Sequence, residues 1–316
     1  MKAQEALTFI KNKAGAYFKS FAPASDGLAQ RRTLRLNNDT GLLKLLGCAF
    51  MFCDHAGKMI FPNAYKLTAP EWLGQWAFLV PTINIMRAIG RLAMPLFAYG
   101  IAVGCEYTKN IWKYALRLLL VGILVHPLYQ AAMGHVTPFT FNWGANFYKP
   151  AAIYEFYYSK NLNIFFTLSL STFIIACIKT RHYGLLYIFV YIAWHMDGPL
   201  DYGYKAIILI VLFYAFLDRP LVSFLWVFMF MWYWAMSSFF SNGLVESVRL
   251  LFGAQGQSPY RTRVILSSTS QMYAILSLVL IYLPIRKRRV RLPKWFFYGF
   301  YPFHLLILYA YLFFNR

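Results

Sequence analysis

Asp54 and His55 stand side by side in the middle of an otherwise apolar run, and two arginines, Arg87 and Arg91, lie one helical turn apart in a second such run. His304 lies in the middle of the last apolar run. A charge inside a membrane helix costs about 2.5–3.5 kcal/mol on insertion scales, so each of these positions is a functional-site candidate unless another side chain pairs with it. The residue types suit proton and charge management. A histidine takes up or releases a proton near neutral pH. A carboxylate orients a neighbour or holds a cation, and an arginine stabilises a developing anion.

The spacing sorts these residues onto faces. Lys44, Gly47, Met51, Asp54 and Lys58 recur with the helical period, so this stripe is expected to face a bundle interior. His55 lies about 100° round the helix from Asp54 and needs a partner from another helix, or a substrate. Arg91 has two readings: an ion pair with Asp54 that locks two helices, or a working group of a site. Gly90 and Pro95 beside it permit close packing and a kink, and Gly100 and Gly104 form a small-xxx-small pattern. Phe297, Tyr301, His304 and Leu308 share one face, where His304 is either a satisfied core residue or a second base. Asn163, Thr167, Asp201 and Tyr202 cluster near the outer ends of their runs, as caps and loop anchors or as substrate contacts. Lys113 and Arg117 either snorkel to the membrane surface or bind an anion. Cys48, Cys53, Cys105 and Cys177 show no metal-type or disulfide-type spacing and read as small buried hydrophobes.

The elements that position these residues follow from composition. The 316 residues are 59% hydrophobic, 20% aromatic and 13% charged, against about 25% charged in a soluble domain. Such a chain needs a bilayer as solvent, so the expected fold is all-α, a polytopic transmembrane bundle. About nine spans are expected, near 41–62, 84–106, 111–133, 162–178, 183–196, 204–217, 220–240, 264–284 and 295–314. Residues 72–83 read as an interfacial or re-entrant piece. Residues 1–40 form a basic segment, partly amphipathic, expected to lie on the cytoplasmic membrane face, and 41–316 form the transmembrane domain. The run begins too late for a cleaved signal peptide. The net charge is +20, and its distribution sets orientation rather than nucleic-acid binding. With the N-terminus inside, the cytoplasmic segments hold 20 of the 31 Lys and Arg residues, six of them between Arg286 and Lys294. That layout puts the C-terminus outside and leaves Arg249, Arg261 and Arg263 on the wrong side.

Six stretches, in this order, resemble the TraX family of integral membrane proteins, named for an acetyltransferase that N-acetylates conjugative pilin. They are CDHAGKMIFP (53–62), IGRLAMPLFAYGIAVG (89–104), TKNIWKYALRLLL (108–120), NIFFTLSL (163–170), DYGYKAIILIVLFY (201–214) and FYGFYPFHLLILY (297–309). The resemblance runs from about residue 41 to 312. It departs from the pattern where family members carry Glu-Gly after the Gly-Arg helix: Val103 stands there, and the nearest acid is Glu106.

The resemblance implies an acyltransferase of the bacterial inner membrane that moves an acetyl group from cytoplasmic acetyl-CoA, without a metal, to an amine or hydroxyl at the outer side. For a pilin the acceptor is its N-terminal amine. That amine must be neutral to attack a thioester, which makes His55 the expected general base. Asp54 orients the site or holds the acceptor ammonium, Arg91 pairs with Asp54 or stabilises the oxyanion, and His304 is the second base candidate. Arg117, Lys113 and Lys109 are expected on the CoA phosphates, and Asn163, Asp201 and Tyr202 on the acceptor. The competing readings are a glycan O-acetyltransferase, a transporter or flippase, and a pilus assembly factor. A transporter usually shows inverted repeats with matched broken helices, and none is visible in the sequence.

Overall fold

The computed structural model describes residues 40–60, 66–67, 83–133, 161–240, 270–283 and 293–314. The helices are α1 (Thr40–Met59), α2 (Ile85–Gly90), α3 (Ala93–Tyr107), α4 (Ile111–Ala132), α5 (Ile164–Thr180), α6 (Tyr183–His195), α7 (Gly203–Ala215) and α8 (Pro220–Phe240). A 3₁₀ turn, Ser270–Leu276, leads into α9 (Ser277–Tyr282), and α10 is Lys294–Phe314. Extended structure among the described residues amounts to one antiparallel pair, β1 (Lys66–Leu67) with β2 (Ile83–Asn84), and a bridge between Leu162 and Leu200. Each of the nine expected apolar runs contains a helix. The expectations for 1–39, 72–82, 241–263 and the basic run 286–291 lie outside the described residues.

Among the described residues, four segments are long and apolar enough to cross a membrane: Met86–Tyr107, Ile111–Ala132, Pro220–Ser237 and Trp295–Phe314. The helix α1 has the length but carries Lys44, Asp54, His55 and Lys58, which make it less apolar. Helices α6 and α7 have thirteen residues each, about 20 Å at 1.5 Å per residue, short of a hydrocarbon core of about 30 Å. Backbone that turns at such a depth needs protein partners for its polar groups. The turn between α6 and α7 has them. Leu162 donates its N–H to Pro199 O at 2.6 Å, Thr167 donates Oγ1–H to Asp201 O at 2.8 Å, and Tyr204 donates N–H to Asp197 Oδ1 at 2.8 Å.

Burial runs from centre to rim. In α3 twelve of fifteen residues are buried, because Ala93, Ala98, Gly100, Ala102 and Gly104 let neighbours approach from several sides. The hydroxyls buried in α5 are all used: Ser169 donates to Ala115 O in α4 at 2.9 Å, and Ser171 and Thr172 donate back to Thr167 O and Leu168 O at 2.7 Å. At the rim the pattern inverts. Only Ala193 is buried in α6, while Tyr187 and Trp194 are 78% and 74% exposed. An all-round apolar rim of this kind is a surface for lipid.

Pro95 explains the break between α2 and α3. It has no N–H to give to the Arg91 carbonyl four residues earlier, and its ring crowds that carbonyl. The helix opens into a turn at Arg91–Leu92, just past Gly90. The four cysteines are free thiols, three buried and Cys53 half-buried.

Candidate active site

The break in the α2–α3 segment lies against Asp54. A Cβ added at Gly90 would overlap Asp54, with its Cγ at 2.7 Å, so only glycine lets α2 come this close to α1. From there Arg87 donates Nη1–H to Asp54 Oδ2 at 2.5 Å in an ion pair. The expected Asp54–Arg91 pair is therefore replaced by Asp54–Arg87. The contact point is Gly90, and the arginine preceding it by three residues reaches the carboxylate. Asp54 Oδ1 and Arg91 Nε are both buried and have no hydrogen-bond partner among the described residues. Arg91 lies within electrostatic reach of Asp54 and Asp201.

His55 finds its partner in the last helix. Its Nδ1 lies 2.8 Å from Nε2 of His304, with the rings stacked at 5.0 Å between centroids. His304 Nδ1 lies 2.9 Å from the Phe300 carbonyl oxygen. A carbonyl only accepts, so His304 Nδ1 carries the proton and, in the neutral ring, Nε2 carries the lone pair. His55 Nδ1–H must then donate to it. The hydrogen-bond order assigns the free lone pair of the two-ring chain to His55 Nε2. Tyr301 stands edge-on to both rings, at 6.3 Å from His55 and 5.4 Å from His304.

Asp54 and His55 line a small chamber of about 30 Å³ together with Gly90, Asp201 and Tyr202. Tyr202 adopts φ 62° and Gly203 φ 57°. The left-handed conformation costs a non-glycine residue about 1–2 kcal/mol, and it lets the chain turn into α7 with Asp201 and Tyr202 both on the chamber wall. Beyond the chamber lies a larger cavity of about 810 Å³, within the range of cofactor sites. Its far end is lined by Lys44, Lys109, Lys113 and Arg117 and by the start of α4, where Asn110 caps the helix by accepting from Lys113 N–H at 2.9 Å. Met51, Phe97, Ile164, Leu168 and Tyr301 line both spaces.

The sequence-derived candidates thus divide into two groups. Asp54, His55, Asp201 and Tyr202 meet at the chamber, with His304 and Arg91 behind its wall. Lys109, Lys113 and Arg117 meet in the cavity, with Tyr298 on the same lining. Asn163 joins neither group. Its Oδ1 accepts from Phe165 N–H at 3.0 Å as the cap of α5, and its Nδ2–H donates to Gly122 O at 2.8 Å, so the whole amide is spent on packing α5 against α4. Gly100 and Gly104 give α3 its close approach to side chains of two neighbouring helices: a Cβ there would meet Lys44 Cε of α1 or Tyr114 Oη of α4 at 2.9 Å. Glu106 is taken by Lys179 at 3.7 Å, and Lys179 also donates to the carbonyls of Cys105 and Glu106 at 3.0 Å. Sequence reasoning placed Lys44 and Arg87 but gave neither a role at the site. The signal for Lys44 was its place on the Asp54 stripe, and for Arg87 its position just before Gly90.

The family model described as TraX protein matches residues 39–311. The chain belongs to the TraX family. The match reaches every described element, ending three residues before the end of α10, and contains all of the chamber and cavity residues named above. No curated protein and no solved structure gives a significant match. Membership in TraX and the apolar helices make this a pilin-related helical membrane protein.

Proposed function

We propose that this TraX protein is an inner-membrane acyltransferase that carries an acetyl group from acetyl-CoA to the N-terminal amine of a pilin. The observation that carries the reading is the pair of adjacent spaces: a cation-lined cavity at one end of the bundle and a histidine–carboxylate chamber at the other, with five wall residues in common. Lys44, Lys109, Lys113 and Arg117, with the N-terminus of α4, offer charge and N–H groups to the CoA phosphates. From Lys44 to His55 along α1 is eleven residues, about 16 Å at 1.5 Å per residue. A pantetheine arm is about five residues long, roughly 17 Å extended, so phosphates at the cations bring the thioester to the chamber.

There the acceptor nitrogen attacks the thioester carbonyl. His55 Nε2 removes the proton from the attacking amine, and the C–S bond breaks as the tetrahedral intermediate collapses. The CoA thiolate takes the proton back from His55. His304 holds His55 in the required tautomer and, with the Phe300 carbonyl behind it, stabilises the imidazolium. Asp201, with Asp54 Oδ1, receives the acceptor ammonium, which releases its first proton to bulk water before the attack, and Arg91, behind the chamber wall, offsets through its field the charge that develops on the carbonyl oxygen.

Thermal unfolding of the detergent-solubilised protein tests the donor half. A ligand that binds only the native state stabilises it by about 2.7 kcal/mol at 100 times its Kd. Acetyl-CoA should raise the melting temperature, and Arg117→Ala should shrink that rise. Intact mass of pilins from cells with and without this gene tests the acceptor half, and an unmodified pilin in both would overturn it.

A further inference from the structure

The five residues shared by the two spaces form a neck, and its walls differ in kind. Tyr301 is 3% exposed and fixed by an edge-to-face contact with Phe165 at 5.1 Å. Ile164 and Leu168 belong to the first turns of α5, where Asn163 caps the helix. The opposite wall is Met51 of α1 and Phe97 of α3. Phe97 lies against Gly47, where an added Cβ would meet its ring at 3.2 Å, so the ring is wedged one helical turn before Met51. Met51 itself precedes Asp54 by three residues and His55 by four, which places it directly before the reacting groups. Beyond this neck the chamber offers about 30 Å³. A water-sized group occupies about 10–15 Å³ on the same measure, so the chamber admits two or three such groups.

We propose that Met51 and Phe97 are the specificity-determining residues of the donor, setting the longest acyl group that reaches His55. The inference rests on the acyl-CoA reading above. With the thioester sulfur in the neck, the chamber must hold the carbonyl oxygen, the acyl carbons beyond it and the attacking nitrogen. A two-carbon acyl group fills it. A four-carbon group needs the volume that the Met51 side chain or the Phe97 ring occupies. Neither Tyr301 nor the α5 wall can give way as readily, because each is held by contacts outside the neck.

The test uses the purified full-length protein and four probes: CoA, acetyl-CoA, butyryl-CoA and hexanoyl-CoA, with Kd measured for each. The readout is the ratio of each acyl-CoA Kd to the CoA Kd of the same variant, so a general loss of fold or phosphate binding cancels. Wild type should bind acetyl-CoA about as well as CoA and butyryl-CoA at least tenfold more weakly. Met51→Ala should bring butyryl-CoA to within about threefold of CoA, and Phe97→Leu, a milder change, should do so in part. If acetyl-CoA binds but butyryl-CoA binds equally well to wild type, the neck sets no limit and the inference falls while the donor reading stands. The same holds if wild type discriminates and neither variant relaxes it. If neither CoA nor acetyl-CoA binds wild type, the donor reading falls and the inference with it.

Discussion

At the residue scale, the pairing of His55 with His304 suggests distinct roles for two rings that the sequence ranked only as first and second base candidates. With the proton on His304 Nδ1 fixed by the Phe300 carbonyl, the proposed mechanism makes His304 the positioning residue and His55 Nε2 the base. His55→Gln should lower turnover by roughly 10²–10⁴ with little change in thermal stability, measured as acetyl transfer to the purified pilin. His304→Gln should lower it less and, because glutamine can still accept from His55 Nδ1–H, should shift the pH profile rather than abolish the rate. Equal and complete loss in both would make the two rings a single unit; full activity in His55→Gln would remove it as the base. The ion pair gives a second contrast. Asp54→Asn removes the charge opposite Arg87, and breaking a buried pair costs about 3–5 kcal/mol, here toward or below the lower end because the Arg87 side chain is 31% exposed and keeps a further interaction. Adding Arg87→Gln should recover the lost melting temperature but not activity, if Asp54 also serves the acceptor. Recovery of both would make Asp54 purely structural.

At the element scale, the decisive feature is how close α2 comes to α1. Gly90→Ala puts a methyl group into Asp54, and overpacking of this kind costs about 1–3 kcal/mol. The helices must part, the Arg87–Asp54 contact must lengthen, and both melting temperature and acetyl transfer should fall. Gly184 and Gly299 are the matched controls, since a Cβ at either meets nothing within 4 Å. Alanine there should be neutral or raise stability by up to about 1 kcal/mol through helix propensity. If Gly90→Ala behaves like these controls, the close approach is not what holds the site. These elements were largely legible in the sequence. The apolar runs located the helices, the period of Lys44, Gly47, Met51 and Asp54 gave the inward face of α1, and Gly90 with Pro95 marked the break in the second run. The partners were not legible. His55 and His304 are 249 positions apart, and Asp54 could as well have met Arg91 as Arg87. Periodicity says which way a side chain faces on its own helix, but nothing about the register in which two helices meet. Asn163 shows the converse limit: cap and ligand look alike until both ends of the amide are placed.

At the scale of the whole molecule, function depends on which end of the bundle meets which compartment. Thr40, Lys109, Asn110 and Lys113 line the cavity at one end, while the chamber wall includes Asp201 and Tyr202 from the turn between α6 and α7. The segments flanking the cavity end are also those rich in Lys and Arg, which the positive-inside rule assigns to the cytoplasm. Acetyl-CoA is a cytoplasmic, polyanionic molecule, so on the proposed function the charge that would orient the chain and the charge that would bind the donor belong to the same face. This makes orientation testable through the donor site. In a variant with Cys48, Cys53, Cys105 and Cys177 replaced by Ala, a cysteine introduced at Lys109 should be alkylated by a membrane-impermeant maleimide in inverted vesicles but not in intact spheroplasts. CoA should slow that labelling, because its phosphates cover the same residue. A reporter fused after Arg316 should be active outside the cytoplasm if the nine spans expected from the sequence carry the chain across. Labelling from spheroplasts, or a reporter active only in the cytoplasm, would invert the molecule and place the basic cavity on the side without acetyl-CoA. Labelling from the expected side without protection by CoA would keep the orientation and move the donor away from Lys109.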